Sequence, residues 1–143
     1  MDEPIDPAPH VPAARVLVVD DDVILGGAIC DLLRQNGFDV VGQASDGLEA
    51  ISLSRGHEPD VVVMDFRMPR MDGLEATTLI QAHAPLTQTV MFTAYDDETL
   101  NVEAAETGVY CLLVKGCKPD LIVEMVERAA ARKRELERRT AAR

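Results

Sequence analysis

Four short apolar runs in this chain each deliver a side chain that can do chemistry. Val16-Leu17-Val18-Val19 runs into Asp20-Asp21-Asp22, and Val61-Val62-Val63-Met64 runs into Asp65. Thr89-Val90-Met91-Phe92 runs into Thr93, and Val109 to Val114 runs into Lys115. A short continuous apolar run reads as a strand buried on both faces, as in a parallel sheet. An acid at the end of such a strand is costly unless it is paired or the edge is solvated. In open parallel sheets the carboxyl edge is where ligands bind. If these strands are neighbours, the carboxylates of Asp20, Asp21 and Asp65, the hydroxyl of Thr93 and the ammonium of Lys115 converge there.

Such a cluster has restricted uses. Three acids in a small cleft repel one another and raise their own pKa values. A hard dication relieves this, and Mg2+ takes oxygen ligands from one or two carboxylates while keeping several waters. A lysine supplies a mobile point charge, and a threonine hydroxyl donates to an anionic oxygen. Around one carboxylate, these are the parts that neutralise a transferring phosphoryl group. A carboxylate can itself act as the nucleophile and form an aspartyl-phosphate. The residues therefore suggest magnesium-assisted phosphoryl transfer onto an aspartate.

The intervening segments are helices by their patterning. Asp22 caps a helix carrying Ile24, Leu25, Ala28, Ile29, Leu32 and Leu33, which Gly37 stops. Phe38, Val40 and Val41 form a strand ending near Ala44. Asp46-Gly47-Leu48-Glu49 has capping-box spacing, and the helix behind it is expected to end at Gly56. Met68 to Gly73 reads as a loop, with Asp72 capping a helix that runs to about His83. Asp96-Asp97-Glu98 opens another helix, closed by Gly108, and Pro119 suits the first turn of the last one. Five strands alternating with five helices imply one α/β domain with a parallel sheet and right-handed crossovers.

Composition narrows the function classes. The chain has 143 residues, 47% hydrophobic and 27% charged, which is enough for one domain with a real core. No apolar run approaches the ~20 residues that span a bilayer, and Met1 to Pro12 lacks the apolar stretch of a signal peptide, so a cytoplasmic location and no membrane are expected. Cys30, Cys111 and Cys117 lack metal-ligand spacing and read as reduced thiols, and His10, His57 and His83 are scattered. The net charge of −11 is uneven, with +5 over residues 128–143 and −16 before them. An acidic body argues against a broad nucleic-acid surface.

With those strand ends in view, the chain resembles the receiver domain of bacterial response regulators over roughly Arg15 to Arg128. The resemblance rests on Val16-Leu17-Val18-Val19-Asp20-Asp21, on Met64-Asp65-Phe66-Arg67-Met68-Pro69-Arg70-Met71-Asp72-Gly73, on Thr93-Ala94 and on Lys115. It implies a doubly wound five-stranded parallel sheet of flavodoxin-like (βα)5 type, in the order 2-1-3-4-5. It implies Asp65 as phosphoacceptor, and Asp20 and Asp21 as the acidic pair for Mg2+ (or Mn2+), with the backbone carbonyl of Arg67 and Asp65 completing the protein ligands. Thr93 would bind a phosphoryl oxygen, and Lys115 would pair with Asp65 or its phosphate. The implied donor is a sensor histidine kinase, and the implied readout is a change in the face formed by helix 4, strand 5 and helix 5, with homodimerisation on phosphorylation.

The sequence departs from that family at two positions. Leu112 stands where many members carry an aromatic switch residue; Tyr110, expected on the same strand face as Leu112, and Tyr95 are the candidate substitutes. Gly116 replaces the proline that often follows the lysine, so a trans bond and an unusual turn are expected. Glycine there is familiar in receivers of the LuxR/NarL type, attached to helix-turn-helix output domains. The chain is thus read as a disordered proline-rich leader (1–14), a receiver (15–128) and a basic helical extension or linker (129–143). It would be the receiver part of a transcriptional regulator, reaching DNA only through an output domain not visible here, or else a stand-alone regulator acting by protein contact. A remote alternative, a magnesium phosphatase with an aspartate nucleophile, needs a second acid two residues after Asp65, where Arg67 stands.

Overall fold

Alternate residues of each apolar run are buried on opposite faces of one sheet. Val16 and Val18 of β1 (Arg15–Val19) pack on one side with Val61, Val63, Val90 and Phe92, whereas Leu17 and Val19 pack on the other with Val62, Met64 and Met91. The structure is a computed structural model that describes residues 12–142. Its elements follow in strict alternation: β1, α1 (Val23–Gln35), β2 (Asp39–Ala44), α2 (Gly47–His57), β3 (Val61–Asp65), α3 (Gly73–His83), β4 (Gln88–Thr93), α4 (Glu98–Thr107), β5 (Cys111–Val114) and α5 (Pro119–Ala141). All neighbouring strands pair in parallel, in the order β2-β1-β3-β4-β5. This is the flavodoxin-like arrangement the sequence implies. Ile29, Cys30 and Leu33 of α1 and Ile122, Val126 and Ala129 of α5 cover one face. Ala50 of α2, Ala76 and Ile80 of α3, and Leu100 and Ala104 of α4 cover the other.

Helix starts are set by four aspartate caps, of which three are anticipated and the fourth, Asp97, is expected only as one of the acids that open its helix. Asp22, Asp46, Asp72 and Asp97 each accept backbone N–H groups of the first turn of α1, α2, α3 and α4. Two boundaries and one capping bond differ from the sequence reading. Helix α2 passes Gly56 and ends at His57, because Glu58 takes up the left-handed cap at φ 48°. The reciprocal capping bond of Glu49 goes to the N–H and hydroxyl of Ser45, one residue earlier than a capping box requires. Strand β5 begins at Cys111, leaving Val109 and Tyr110 in the bend before it. The alternation of strand side chains therefore does not reach Tyr110. It packs with the α1/α5 layer, whereas Leu112 packs in the opposite layer beside Leu100 and Ala104. The expectation that the two share a face is corrected.

The anticipated leader, 1–14, lies outside the described residues up to residue 11, and its last residue belongs to the body. Ala14 is buried, and its carbonyl accepts the Asp39 N–H at 2.9 Å. The anticipated boundary at 128/129 falls in the middle of α5, which runs unbroken across it. Ala129 and Ala130 are core residues. Four residues on, the Lys133 ammonium lies 2.8 Å from Asp60 Oδ1, while Asp60 Oδ2 accepts the Arg15 N–H at 2.8 Å. This mostly buried pair ties α5 to the amino-terminal edge of the sheet. Among the described residues, no helix is long and apolar enough to cross a membrane.

A chain ending at Arg128 should lose this clamp and two core alanines, at a cost of about 1–3 kcal/mol. Its melting temperature should fall by roughly 5 °C, whereas a chain ending at Arg138 should melt like the full chain. Thermal unfolding of the two truncations checks this.

Candidate functional site

The site forms where the sheet order reverses, at the carboxyl ends of β1 and β3. The three consecutive acids after β1 are separated by the backbone. Asp20 turns inward and is 2% exposed; its N–H donates to the Ala44 carbonyl at 3.0 Å, and its Oδ1 accepts the Asp22 N–H at 2.8 Å. Asp22 faces outward and caps α1, and Asp21 stays exposed between them. Asp65, the last residue of β3, is 3% exposed and lies in register with Phe92 of β4. Carboxylate oxygens of Asp20, Asp21 and Asp65 all lie within 4.8 Å of one another.

Lys115 arrives from the end of β5. Its N–H donates to the Thr93 carbonyl at 2.7 Å, and its ammonium reaches across β4 to within 3.0 Å of Asp65 Oδ1 and 3.6 Å of Asp20 Oδ2. Thr93, buried at the end of β4, shares this edge. Its hydroxyl accepts a long bond from the Tyr95 N–H at 3.4 Å and has no hydrogen bond to the acids among the described residues. Arg67 lies on the β3–α3 loop, beside a cleft of about 470 Å³ that is also lined by Asp21, Phe66, Met68, Pro69 and Asp72. Its guanidinium is turned outward, 6.0 Å from the Phe66 ring centroid. Tyr95 is 74% exposed, and Gly116 makes its turn at φ 94° with no cis bond among the described residues.

One ammonium does not balance these acids. Burial pushes the Asp65 carboxyl up to about 7; the Lys115 hydrogen bond opposes the shift, and the nearby Asp20 charge adds to it. Burial likewise raises Asp20, against the pull of the Asp22 N–H and the Lys115 charge. For Lys115, burial would lower the pKa, but the hydrogen bond and charge of Asp65, with Asp20 and Asp21, hold it above the ordinary lysine value. Asp65 Oδ2 is buried with no hydrogen-bond partner among the described residues. An orphaned carboxylate oxygen beside two further carboxylates is the donor set of a hard, oxygen-seeking cation, and among the described residues the cluster holds no nitrogen or sulfur ligand. The residues fit Mg2+ or Mn2+.

Gly73 has a role in the site that sequence reading missed. A Cβ at this position would lie against the Asp65 carbonyl oxygen, and 3.0 Å from Phe66 Cα. The Gly73 N–H donates to the Phe66 carbonyl at 2.7 Å. The bare glycine lets α3 start directly against the backbone that carries Asp65. The sequence signals are its place at the end of the Met64-to-Gly73 motif and the Asp72-Gly73 pair, which reads as loop and cap.

The model of the response regulator receiver domain matches residues 16–127. The chain belongs to this family. Receiver domains are signalling modules of two-component systems. Over 122 residues the chain is 35% identical to the transcriptional regulatory protein PdtaR of Mycobacterium tuberculosis, covering 85% of this chain and 59% of PdtaR. It therefore spans less than two thirds of that regulator. It is 34% identical over 116 residues to the chemotaxis protein CheY of Listeria monocytogenes, covering 81% of this chain and 98% of CheY. The solved signal receiver domain of NarL from Mycobacterium tuberculosis superposes with a TM-score of 0.80 at 30% identity, over 85% of this chain and 98% of that one.

The receiver's acid cluster should leave a pH signature when divalent ions are removed. Asp65 titrates at about 7 in the folded chain against an ordinary 3.8. As pH rises between those values, the folded state keeps a proton the unfolded state has lost, so stability falls relative to a chain without this group. In EDTA, the melting temperature of Asp65→Asn should match wild type near the lower value and exceed it increasingly towards the upper. Separately, Gly73→Ala should unfold well below wild type, because the neighbour it meets is backbone.

Proposed function

We propose that this receiver is a phosphorylation-dependent switch whose phosphoacceptor is Asp65. The observation that carries the reading is the buried Asp65 carboxylate. One of its oxygens is held by Lys115 and the other has no partner among the described residues, beside carboxylates of Asp20 and Asp21 that could hold a cation. Asp20, Asp21, Asp65 and the Arg67 carbonyl would hold Mg2+, which when bound screens the acids and the charge of the incoming phosphoryl group. An Asp65 oxygen attacks phosphorus, a new O–P bond forms, and the P–N bond to the histidine of a sensor kinase breaks, with the imidazole leaving on the opposite side. Lys115 stays beside the new anion, neutralising charge that the carboxylate alone carried before. Thr93, without a bond to the acids beforehand, turns its hydroxyl to a phosphoryl oxygen.

The charge gained at Asp65 then biases the far end of the sheet. Thr93 and Lys115 close β4 and β5, so their movement reaches α4, β5 and α5. With Leu112 in place of an aromatic, and with Tyr110 packed in the opposite layer, the response runs through packing around Leu112, Leu100 and Ala104. Phosphorylation would favour a homodimer. We read it as a cytoplasmic regulator. The likeness to a transcriptional regulatory protein, of which the match covers 59%, supports a receiver that works with a further domain, through which any DNA contact would be made. The likeness to a chemotaxis protein matched over 98% of its length supports a stand-alone regulator acting by protein contact. Gly116 favours the first. The protein modifies itself once per donor and is not a multiple-turnover enzyme. Arg67 stands where a phosphatase of this chemistry would need its second acid.

Incubation with Mg2+ and a small phosphodonor should add one acid-stable, base-labile phosphoryl group to the wild-type chain, read by intact mass. Asp65→Asn should add none, and wild type in EDTA should add almost none. A wild-type chain left unmodified by a competent donor would overturn the proposal, and steady release of phosphate would point to the phosphatase.

A further inference from the structure

The β3–α3 loop, residues 66–72, carries the Arg67 carbonyl, yet it has no helix or strand geometry to hold it in place. Two unusual features occur together near its end. The Met71 N–H donates back to the Pro69 carbonyl at 2.8 Å across Arg70, whose φ is 70°. This is the rare, strained hand of the three-residue turn, on a residue with a full side chain. Such a conformation persists only where the surroundings over-determine it. Directly after it, the Met71 side chain lies flat against the bare Cα of Gly47, the buried first residue of α2. A Cβ on Gly47 would fall 2.7 Å from Met71 Sδ, 3.0 Å from its Cγ and 3.1 Å from its Cβ. Between loop and helix only a cleft of about 40 Å³ remains, lined by Asp46, Gly47, Leu48, Pro69, Arg70 and Met71.

We infer that Met71, seated in the notch left by Gly47, is a positioning residue for the cation site. The inference rests on the proposed role of the Arg67 carbonyl. The loop's two ends are already tied, by the Gly73 N–H to the Phe66 carbonyl and by the buried Met68. What the Met71 lock adds is a fixed distance between the loop and the β2–α2 corner. It holds the strained turn at Arg70 in place and stops the segment carrying Arg67 from swinging away from Asp21 across the cleft they both line. The corner after β2 thus sets cation affinity although it supplies no ligand, as outer partners of a metal site do.

The test is Mg2+ affinity, measured by calorimetric titration and by the rise in melting temperature between EDTA and saturating Mg2+. Gly47→Ala, which drives a methyl into the thioether, and Met71→Ala, which removes the anchor without a clash, should each weaken Mg2+ binding by about tenfold or more. Met71→Leu, of nearly the same volume, should hold the wild-type affinity. A merely structural role would lower the melting temperature equally in both conditions and leave the Mg2+-dependent rise unchanged. Should Gly47→Ala fail to fold, Met71→Ala decides alone. Wild-type affinity in Met71→Ala would overturn the inference while leaving the cation site standing. A wild-type chain that does not bind Mg2+ at all would overturn the cation site, and the inference with it.

Discussion

The structure depends on an unbalanced charge cluster at one edge of a parallel sheet. Asp20 and Asp65 are nearly inaccessible, Asp21 is beside them, and among the described residues the only cation bonded to the pair is the Lys115 ammonium. In a folded domain such a cluster survives because the backbone has committed to it. Asp20 is held by the Asp22 N–H, Lys115 by the Thr93 carbonyl, and Asp65 by its place in the β3–β4 ladder. Burial, with the Asp20 charge adding to it, pushes the Asp65 carboxyl up to about 7, and one of its buried oxygens has no partner among the described residues. Both would be relieved by the same event, arrival of a hard dication, so the proposed cation site and the proposed nucleophile are one feature.

The sheet order makes this geometry possible. In the order β2-β1-β3-β4-β5 the ends of β1 and β3 are adjacent, and Lys115 must reach past β4 to meet Asp65. Thr93 ends the strand between them, and its proposed part is to respond to a change at the Lys115–Asp65 pair. On the opposite edge of the sheet, Lys133 and Asp60 close α5 over the core. The two lysines do related work at opposite ends. One is a fixed structural clamp; the other faces a partner whose charge is proposed to change.

Much of this was legible in the sequence. Apolar runs ending in acids mark buried parallel strands because neither face of such a strand can be polar, and Asp22, Asp46, Asp72 and Asp97 mark helix starts because their side chains have a local backbone partner. What was not legible depends on contacts between segments far apart in the chain. Nothing local tells Tyr110 that the ladder starts one residue later, so its layer was misjudged. Nothing in residues 128–143 reveals that Lys133 finds Asp60, so the packing of this helical extension on the domain had no sign in the sequence. Asp46-Gly47 and Asp72-Gly73 look alike as cap-and-turn pairs, but in space one glycine receives Met71 and the other the Asp65 carbonyl. The strain at Arg70 has no sequence signal, since arginine does not favour positive φ.

The most direct measurement of the central claim is fluorine NMR of the chain with beryllofluoride, a stable mimic of a phosphoryl group, titrated with Mg2+. One bound fluoride signal set should appear only when Mg2+ is present, be absent in Asp65→Asn, and be weakened when Asp21 is replaced by Asn. Bound signals that persist in Asp65→Asn, or that form equally well in EDTA, would contradict the account.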